Sequence, residues 1–180
     1  LRASPEEHLI DIVERLGLKT SDVLPALQPL APRFYSIASS PTADPTRIHL
    51  CVAVVQYSTL GRRRLGVASN YLAHDVQEGG EVRVWVQSNS SFRPAPASIL
   101  IGPGTGIAPF RSFLRDGLGD PCMLFFGCRR KQEDFLYREE LESWHKENRK
   151  ERQLHCAFSR DTPEKVYVQH LLGKQGNRVW

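Results

Sequence analysis

The stretch Ile99-Leu100-Ile101-Gly102-Pro103-Gly104-Thr105-Gly106-Ile107-Ala108-Pro109-Phe110 runs from an unbroken apolar trio, through three glycines, into a segment with helical spacing. Short continuous apolar runs closed by glycine belong to strands buried on both faces, so the stretch predicts a strand, a glycine turn and a helix. Glycines let a backbone approach a ligand closely. The start of the following helix offers free N–H groups and a positive dipole end to a pyrophosphate. A tight strand-to-helix turn with no ligand has the same local pattern. A P-loop is excluded, because no Lys-Ser/Thr pair follows Gly106 to serve phosphates and magnesium.

Downstream of this stretch the pattern repeats. Apolar runs at 98–101, 122–126 and 154–158 alternate with helical stretches at 107–114, 134–146 and 165–172, which predicts parallel strands with crossover helices in a doubly wound α/β sheet. Upstream the pattern differs. Residues 4–17 read as a helix capped by Ser4, with Pro5 at its first position, Leu9, Ile10, Val13 and Leu16 on one face, and Gly17 ending it. Strand-like segments follow at 33–38, 47–57 and 81–87, with a short helix near 67–73, and predict an antiparallel sheet or barrel. The change falls at Phe92-Arg93-Pro94-Ala95-Pro96, dividing the chain into a β-rich half, 1–95, and an α/β half, 96–180.

Composition limits what these halves do. With 180 residues, 24 Lys+Arg and 20 Asp+Glu, the net charge is +4. A chain of this size hides roughly 70% of its unfolded surface and needs no disulfide or metal staple. Cys51, Cys122, Cys128 and Cys156 form no C-x-x-C pair and have no histidine at zinc spacing. They read as reduced core thiols of a cytoplasmic protein, with no metal site. The charge is spread along the chain except at Arg62-Arg63-Arg64, read as a solvated loop, so no nucleic-acid partner is expected. No apolar run reaches the roughly 18 residues of a membrane span, and no membrane contact is expected from this segment.

Three further groups carry chemistry. Ser159-Arg160-Asp161, followed by Lys165, Tyr167 and Gln169, lies where loops after strand ends line a cofactor crevice. Such a set suits the phosphate monoester that distinguishes NADP from NAD, and equally suits a charged surface loop. Arg33-Phe34-Tyr35-Ser36-Ile37-Ala38-Ser39-Ser40 combines an aromatic ring, a cation and hydroxyls able to stack on, neutralise and hydrogen-bond a heterocycle. It is equally a plain strand edge. Gly66-Val67-Ala68-Ser69 opens a short helix that could take a second pyrophosphate.

These four segments, in this order from about Leu24 to Trp180, resemble the FAD- and NADPH-binding, ferredoxin-NADP reductase-like region of the diflavin reductases. That family includes NADPH-haemoprotein reductase, the sulfite reductase flavoprotein, methionine synthase reductase and the nitric oxide synthase reductase region. The resemblance implies that Arg33 pairs with the FAD pyrophosphate, that Tyr35 stacks on the isoalloxazine, and that Ser36 lies beside flavin N5 and assists hydride transfer. Ser39 belongs to the same FAD-side group. Gly66, Val67, Ala68 and Ser69 match the family's second pyrophosphate cradle. Gly102, Pro103, Gly104, Thr105 and Gly106 match the NADPH pyrophosphate and nicotinamide loop. Cys128 and Arg129 match a Cys-Arg pair beside NADPH, while Ser159, Arg160, Lys165, Tyr167 and Gln169 match the 2'-phosphate site. The implied cofactors are FAD and NADPH, with FMN in a further domain, and the implied partner is that FMN domain or an acceptor redox protein.

The chain also departs from the family pattern. The family's strand with a Tyr-x-Cys-Gly-Asp type motif, its flavin-covering aromatic, its first barrel strands and its FMN domain are not in these 180 residues. Trp180 does not sit where the covering aromatic would. The expectation is therefore a fragment, holding part of a FAD barrel and an NADPH domain truncated at its C-terminus.

Overall fold

The computed structural model describes residues 4–148 and 150–176. Trp180 lies outside them. The predicted first helix is shorter than its apolar face, running only over α1 (Leu9–Arg15). The Ser4 cap does not form because the Asp11 carboxylate accepts the His8 N–H at 2.8 Å, which starts the helix later. Ser4 instead closes a separate turn, its carbonyl accepting the Glu7 N–H at 3.0 Å. Gly17, at φ +62°, ends the helix as expected. The Gly17 N–H reaches the Glu14 carbonyl at 3.1 Å and the Leu18 N–H reaches that of Val13 at 3.0 Å, the paired bonds of a Schellman end.

After α2 (Thr20–Val23), strands β1 (Gln56–Thr59) and β2 (Arg62–Leu65) form an antiparallel hairpin. Its two-residue turn places Leu60 at φ 50° and Gly61 at φ 71°, the left-handed pair that matches the twist of the flanking strands. The arginine run expected as a solvated loop is therefore strand β2. Arg64 Nη2 donates to both Asp11 oxygens, at 2.5 and 2.6 Å, and Arg62 reaches Glu14 at 2.5 Å, so the run is tied to α1. The hydrogen bonds from Arg64 and from the His8 N–H hold the Asp11 carboxyl below the ordinary aspartate range. A lowered folded-state pKa gives a tie that is present above the unfolded value and lost as pH falls through the lowered one. The protection of the α1 amides, relative to the intrinsic exchange rate at each pH, should fall on acidification below the ordinary aspartate range, and in Asp11→Asn should already be lowered at neutral pH; equal protection in both proteins at neutral pH contradicts the tie.

Helix α3 (Val67–Asn70) follows β2 and passes into a wider turn over Tyr71–Asp75. Among the described residues, the antiparallel content is the β1–β2 hairpin and one isolated bridge, Ile37 to Leu50. The strands predicted at 33–38 and 47–57 are thus reduced to that bridge and β1. Residues 81–87 form no strand, with Val82, Val84 and Val86 exposed by 36%, 69% and 64%. Alternating valines make a strand only against a partner that takes up their edge hydrogen bonds and covers one face, and no described segment does so here.

The α/β half forms as expected. Strands β3 (Ser98–Pro103), β4 (Cys122–Cys128) and β5 (Arg152–Phe158) pair in that order, all parallel, with Leu100, Leu124 and Leu154 in register. Helix α4 (Ala108–Arg115) follows a 3₁₀ turn over Gly104–Ile107, and α5 (Arg138–Glu147) and α6 (Val168–Lys174) complete the set. One face of β4 carries Cys122, Leu124 and Phe126, buried with Ile107, Leu141 and Trp144. On the other face Phe125 stacks on His155 at 4.6 Å, and a Cβ on Gly127 would meet Val168 of α6 at 2.9 Å. Helices thus cover both faces, which is why β4 is apolar throughout. Two helix starts move from the predicted positions. Helix α5 begins at 138 rather than 134, because Asp134 serves the preceding loop and Tyr137 enters the helix left-handed at φ 54°. Helix α6 begins at 168 rather than 165.

Contacts group the chain into two compact units, Leu1–Phe34 with Ala53–Val84, and Tyr35–Val52 with Trp85–Trp180. The sequence division at 95 is drawn along the chain. The contact grouping instead assigns the segment from Tyr35 to Val52 to the α/β unit.

Candidate functional site

The glycine loop leaves the C-terminal end of β3, where ligands bind in open α/β sheets. Its three glycines have three different reasons. A Cβ on Gly102 would lie 2.8 Å from the Phe110 ring and 2.9 Å from the Gly106 carbonyl, so helix packing requires glycine there. Gly104 needs its freedom at φ +55°. A Cβ on Gly106 meets only Pro103 at 3.8 Å, and nothing in the chain itself requires glycine at that position. Helix α4 then starts with no side-chain cap on Ile107. The Ala108 N–H already donates to the Thr105 carbonyl and Pro109 has none to offer, so it is the open space beside Gly106, with the positive end of the helix, that fits a dinucleotide pyrophosphate.

The ends of the next two strands lie beside each other. The Ser159 N–H donates to the Cys128 carbonyl at 3.0 Å, and the Arg160 N–H to the Arg129 carbonyl at 2.8 Å. Four of the predicted NADPH residues are brought together in this way. The Arg129 turn is built by Asp134, whose carboxylate accepts the N–H groups of Arg129 and Arg130 at 3.0 and 2.6 Å. Asp161 accepts the Lys131 N–H at 3.1 Å and joins the two loops. Arg129, Arg160 and Lys165 are exposed, and among the described residues none of them enters an ion pair. Tyr167 caps the start of α6, its N–H donating to His170 at 3.2 Å, and Gln169 is exposed on the first turn.

Cys128 lies under this turn. Burial, then the Asp134 carboxylate, pushes its thiol up to about 12, while burial pushes those of Cys122 and Cys156 to about 11. Values raised this far leave little thiolate at physiological pH, which lowers the reactivity of all three. Iodoacetamide at pH 8 should leave them unlabelled in the folded chain and label them once urea is added; peptide mass spectrometry reads the difference, and labelling of Cys128 before unfolding contradicts its burial.

The predicted FAD residues fall in both compact units, and each set is described within its own. In the first, Arg33 is exposed and spends one donor on the Ala31 carbonyl at 3.0 Å. A Cβ on Gly66 would lie 2.7 Å from Val55 Cβ, so packing against Val55 requires that glycine. The buried Ser69 hydroxyl accepts the Val55 N–H at 3.1 Å and donates to the Gly66 carbonyl at 3.2 Å, which shapes the turn. Val67 is exposed and Ala68 half-buried at the α3 start, leaving backbone donors as the cradle. In the α/β unit, Tyr35 is half-buried and Ser36 exposed, and the buried Ser39 hydroxyl donates to the Arg47 carbonyl at 3.2 Å and accepts the His49 N–H at 3.0 Å. Within the α/β unit the half-buried Tyr35 ring and the exposed Ser36 hydroxyl suit a flavin ring chemically.

The chain matches the FAD binding domain family over residues 7–71 and the oxidoreductase NAD-binding domain family over residues 100–177. In these two matches and their order the chain is similar to the FAD- and NAD-binding region of the diflavin reductases. It is 43% identical to the sulfite reductase [NADPH] flavoprotein alpha-component of Serratia proteamaculans and 44% identical to that of Vibrio cholerae, with 96% of this chain and 30% of each relative aligned. NADPH oxidoreductase A of Dictyostelium discoideum is 40% identical over 96% of the chain and 29% of that protein. The chain thus spans about 30% of the length of the curated relatives it matches. Its two parts are an FAD-binding and an NAD-binding portion in the diflavin reductase order.

The sequence reading missed the residues that hold the loops after β4 and β5 in shape. Asp134 and Asp161 accept backbone N–H groups there, and no spacing rule distinguishes such acids from surface charge. A weak signal was available for Asp134, an acid shortly after an Arg-Arg-Lys turn.

Proposed function

We propose that this chain takes hydride from NADPH to FAD, for onward single-electron transfer to FMN or to an acceptor protein. The observation that carries this reading is the open cradle at Gly106 together with three exposed cations, Arg129, Arg160 and Lys165, that enter no ion pair among the described residues. The chemistry that FAD supplies when bound is acceptance of two electrons as hydride and their release one at a time. The protein's part is to bind, orient and exclude water. The glycine loop and the α4 start hold the NADPH pyrophosphate, Arg129 adds charge near it, and Ser159, Arg160 and Lys165, with Tyr167 and Gln169 nearby, take the 2'-phosphate. Arg33 and the 66–69 turn hold the FAD pyrophosphate, Tyr35 stacks on the ring, and Ser36 Oγ offers a hydrogen bond to charge developing at the reacting edge. Residues 1–95 form part of an antiparallel FAD-binding barrel and 96–180 the NADPH domain. Among the described residues no helix is long and apolar enough to cross a membrane, and the proposed setting is the cytoplasm.

The test is anaerobic. The chain saturated with FAD should lose its flavin absorbance on mixing with NADPH, and much more slowly with NADH; no bleaching with either refutes the reading. A second reading is NADP binding without FAD, favoured by the burial of the Ser69 hydroxyl in chain contacts and by a core cluster confined to the NAD-binding unit. Retention on a 2',5'-ADP matrix without FAD retention on desalting selects it.

Gly106→Ala separates fold from ligand. The φ there is not left-handed and the space is open, so the melting temperature should hold, while affinity for NADP+ should fall about tenfold, roughly 1.4 kcal/mol. Calorimetric titration checks it, and unchanged affinity would remove the cradle from the site.

A further inference from the structure

Among the described residues of the α/β unit one guanidinium is buried, and the proposed chemistry gives it no role. Arg111, on α4, is 7% exposed. Its Nε and Nη2 donate to the two oxygens of Glu140 at 2.8 and 2.7 Å, and its plane lies over the Tyr137 ring, 4.5 Å from the centroid. With these contacts orienting the group, Nη1 donates to the Ala38 carbonyl at 2.8 Å and lies 3.4 Å from His49 Nδ1. The same helix holds that segment twice more, since Arg115 reaches Asp44 at 3.1 Å and Ser40 Oγ bonds to Asp116 just past the helix end. The segment closes on itself through the Ala38 N–H to the His49 carbonyl, at 2.8 Å. A single buried group therefore joins the stretch two residues after Ser36 to the helix that begins at the glycine loop.

We propose that Arg111 is a positioning residue, holding the Ser36-bearing segment in fixed register with the glycine loop so that hydride donor and acceptor meet. This rests on the reading of Ser36 as a flavin-side residue. A buried carbonyl that loses its charged donor cannot recover the bond from water, so the segment loosens when the guanidinium is removed. Lysine keeps the charge, but it has no planar fork with which to hold Glu140 and Ala38 together.

The test uses the full chain saturated with FAD, comparing the native protein with Arg111→Met and Arg111→Lys. Hydrogen exchange of the peptide covering 37–50 should accelerate about tenfold in Arg111→Met, the factor that loss of one charge-assisted bond gives, with exchange in β3 and β4 unchanged. The dissociation constant for NADP+ should stay within about twofold, and reduction by NADPH should slow about tenfold, with Arg111→Lys between the two proteins. Unchanged exchange at 37–50 overturns the proposal. So does acceleration spread equally over β3 and β4, which marks general support of the unit, or a loosened segment with an unchanged reduction rate. If the native protein is not reduced by NADPH, the flavin-side reading fails by itself, and the positioning role for hydride transfer falls with it; exchange at 37–50 then reports the tether alone.

Discussion

Arg160→Ala raises the KM for NADPH by about ten- to a hundredfold and leaves that for NADH within about twofold, because a charge-assisted hydrogen bond is worth about 1.5–3 kcal/mol and each 1.4 kcal/mol is tenfold. The geometry makes the residue available for this. Its backbone is fixed by the bond to the Arg129 carbonyl at 2.8 Å, and its side chain is exposed and outside every ion pair among the described residues. An arginine already neutralised by a carboxylate would have to give up that partner first. This one has none to give up, so most of its interaction with a 2'-phosphate appears in binding. Raising the salt concentration should narrow the NADPH preference of the native protein and leave that of Arg160→Ala little changed, since an exposed charge is screened within about 8 Å at physiological ionic strength. Steady-state kinetics with both nucleotides decides it. Equal rises in the two KM values would move the 2'-phosphate away from this loop.

Which parts of this were legible in the sequence follows from where each signal is stored. Strand β4 is buried on both faces and its burial is written directly as an unbroken apolar run; β5 is largely half-buried and β3 leaves Ile99 and Ile101 39% and 44% exposed, yet all three strands appear where the runs predict. The predicted barrel strands carry alternating residues, a pattern that specifies one wet and one dry face but names no partner. Residues 81–87 show the consequence, since Val84 stays 69% exposed where the alternation predicts a covered face. The glycine loop was legible as a unit, yet its glycines were not separable. Sequence spacing does not tell Gly102, which answers to Phe110, from Gly106, where the described residues leave room for a side chain. The acids were the least legible. Asp134 and Asp161 act on backbone N–H groups of residues that differ from them by 4, 5 and 30 positions, and the longest of these spacings has no periodic signature.

Phe126→Ala should cost about 3–5 kcal/mol of stability, the range for emptying a fully enclosed aromatic site. The side chain is 0% exposed, lies on the central strand β4, and stacks on Phe135 with centroids 5.0 Å apart. Its strand neighbours in register are Gly102 on one side and Cys156 on the other. Gly102 has no side chain and Cys156 a small one, so neither can move in to fill the space, and the cavity stays open. A site that cannot collapse sits at the upper end of that range. Total domain stability is about 5–15 kcal/mol, so the variant is left near its threshold and its urea midpoint should fall sharply with the slope unchanged. Phe126→Leu, which keeps most of the volume, should recover more than half of the loss. The floor of the glycine loop is this same residue, through its pairing with Gly102, so NADP+ affinity should fall in the alanine variant even at temperatures where it remains folded. A loss under about 1 kcal/mol would show that Phe135 or α4 closes over the vacancy.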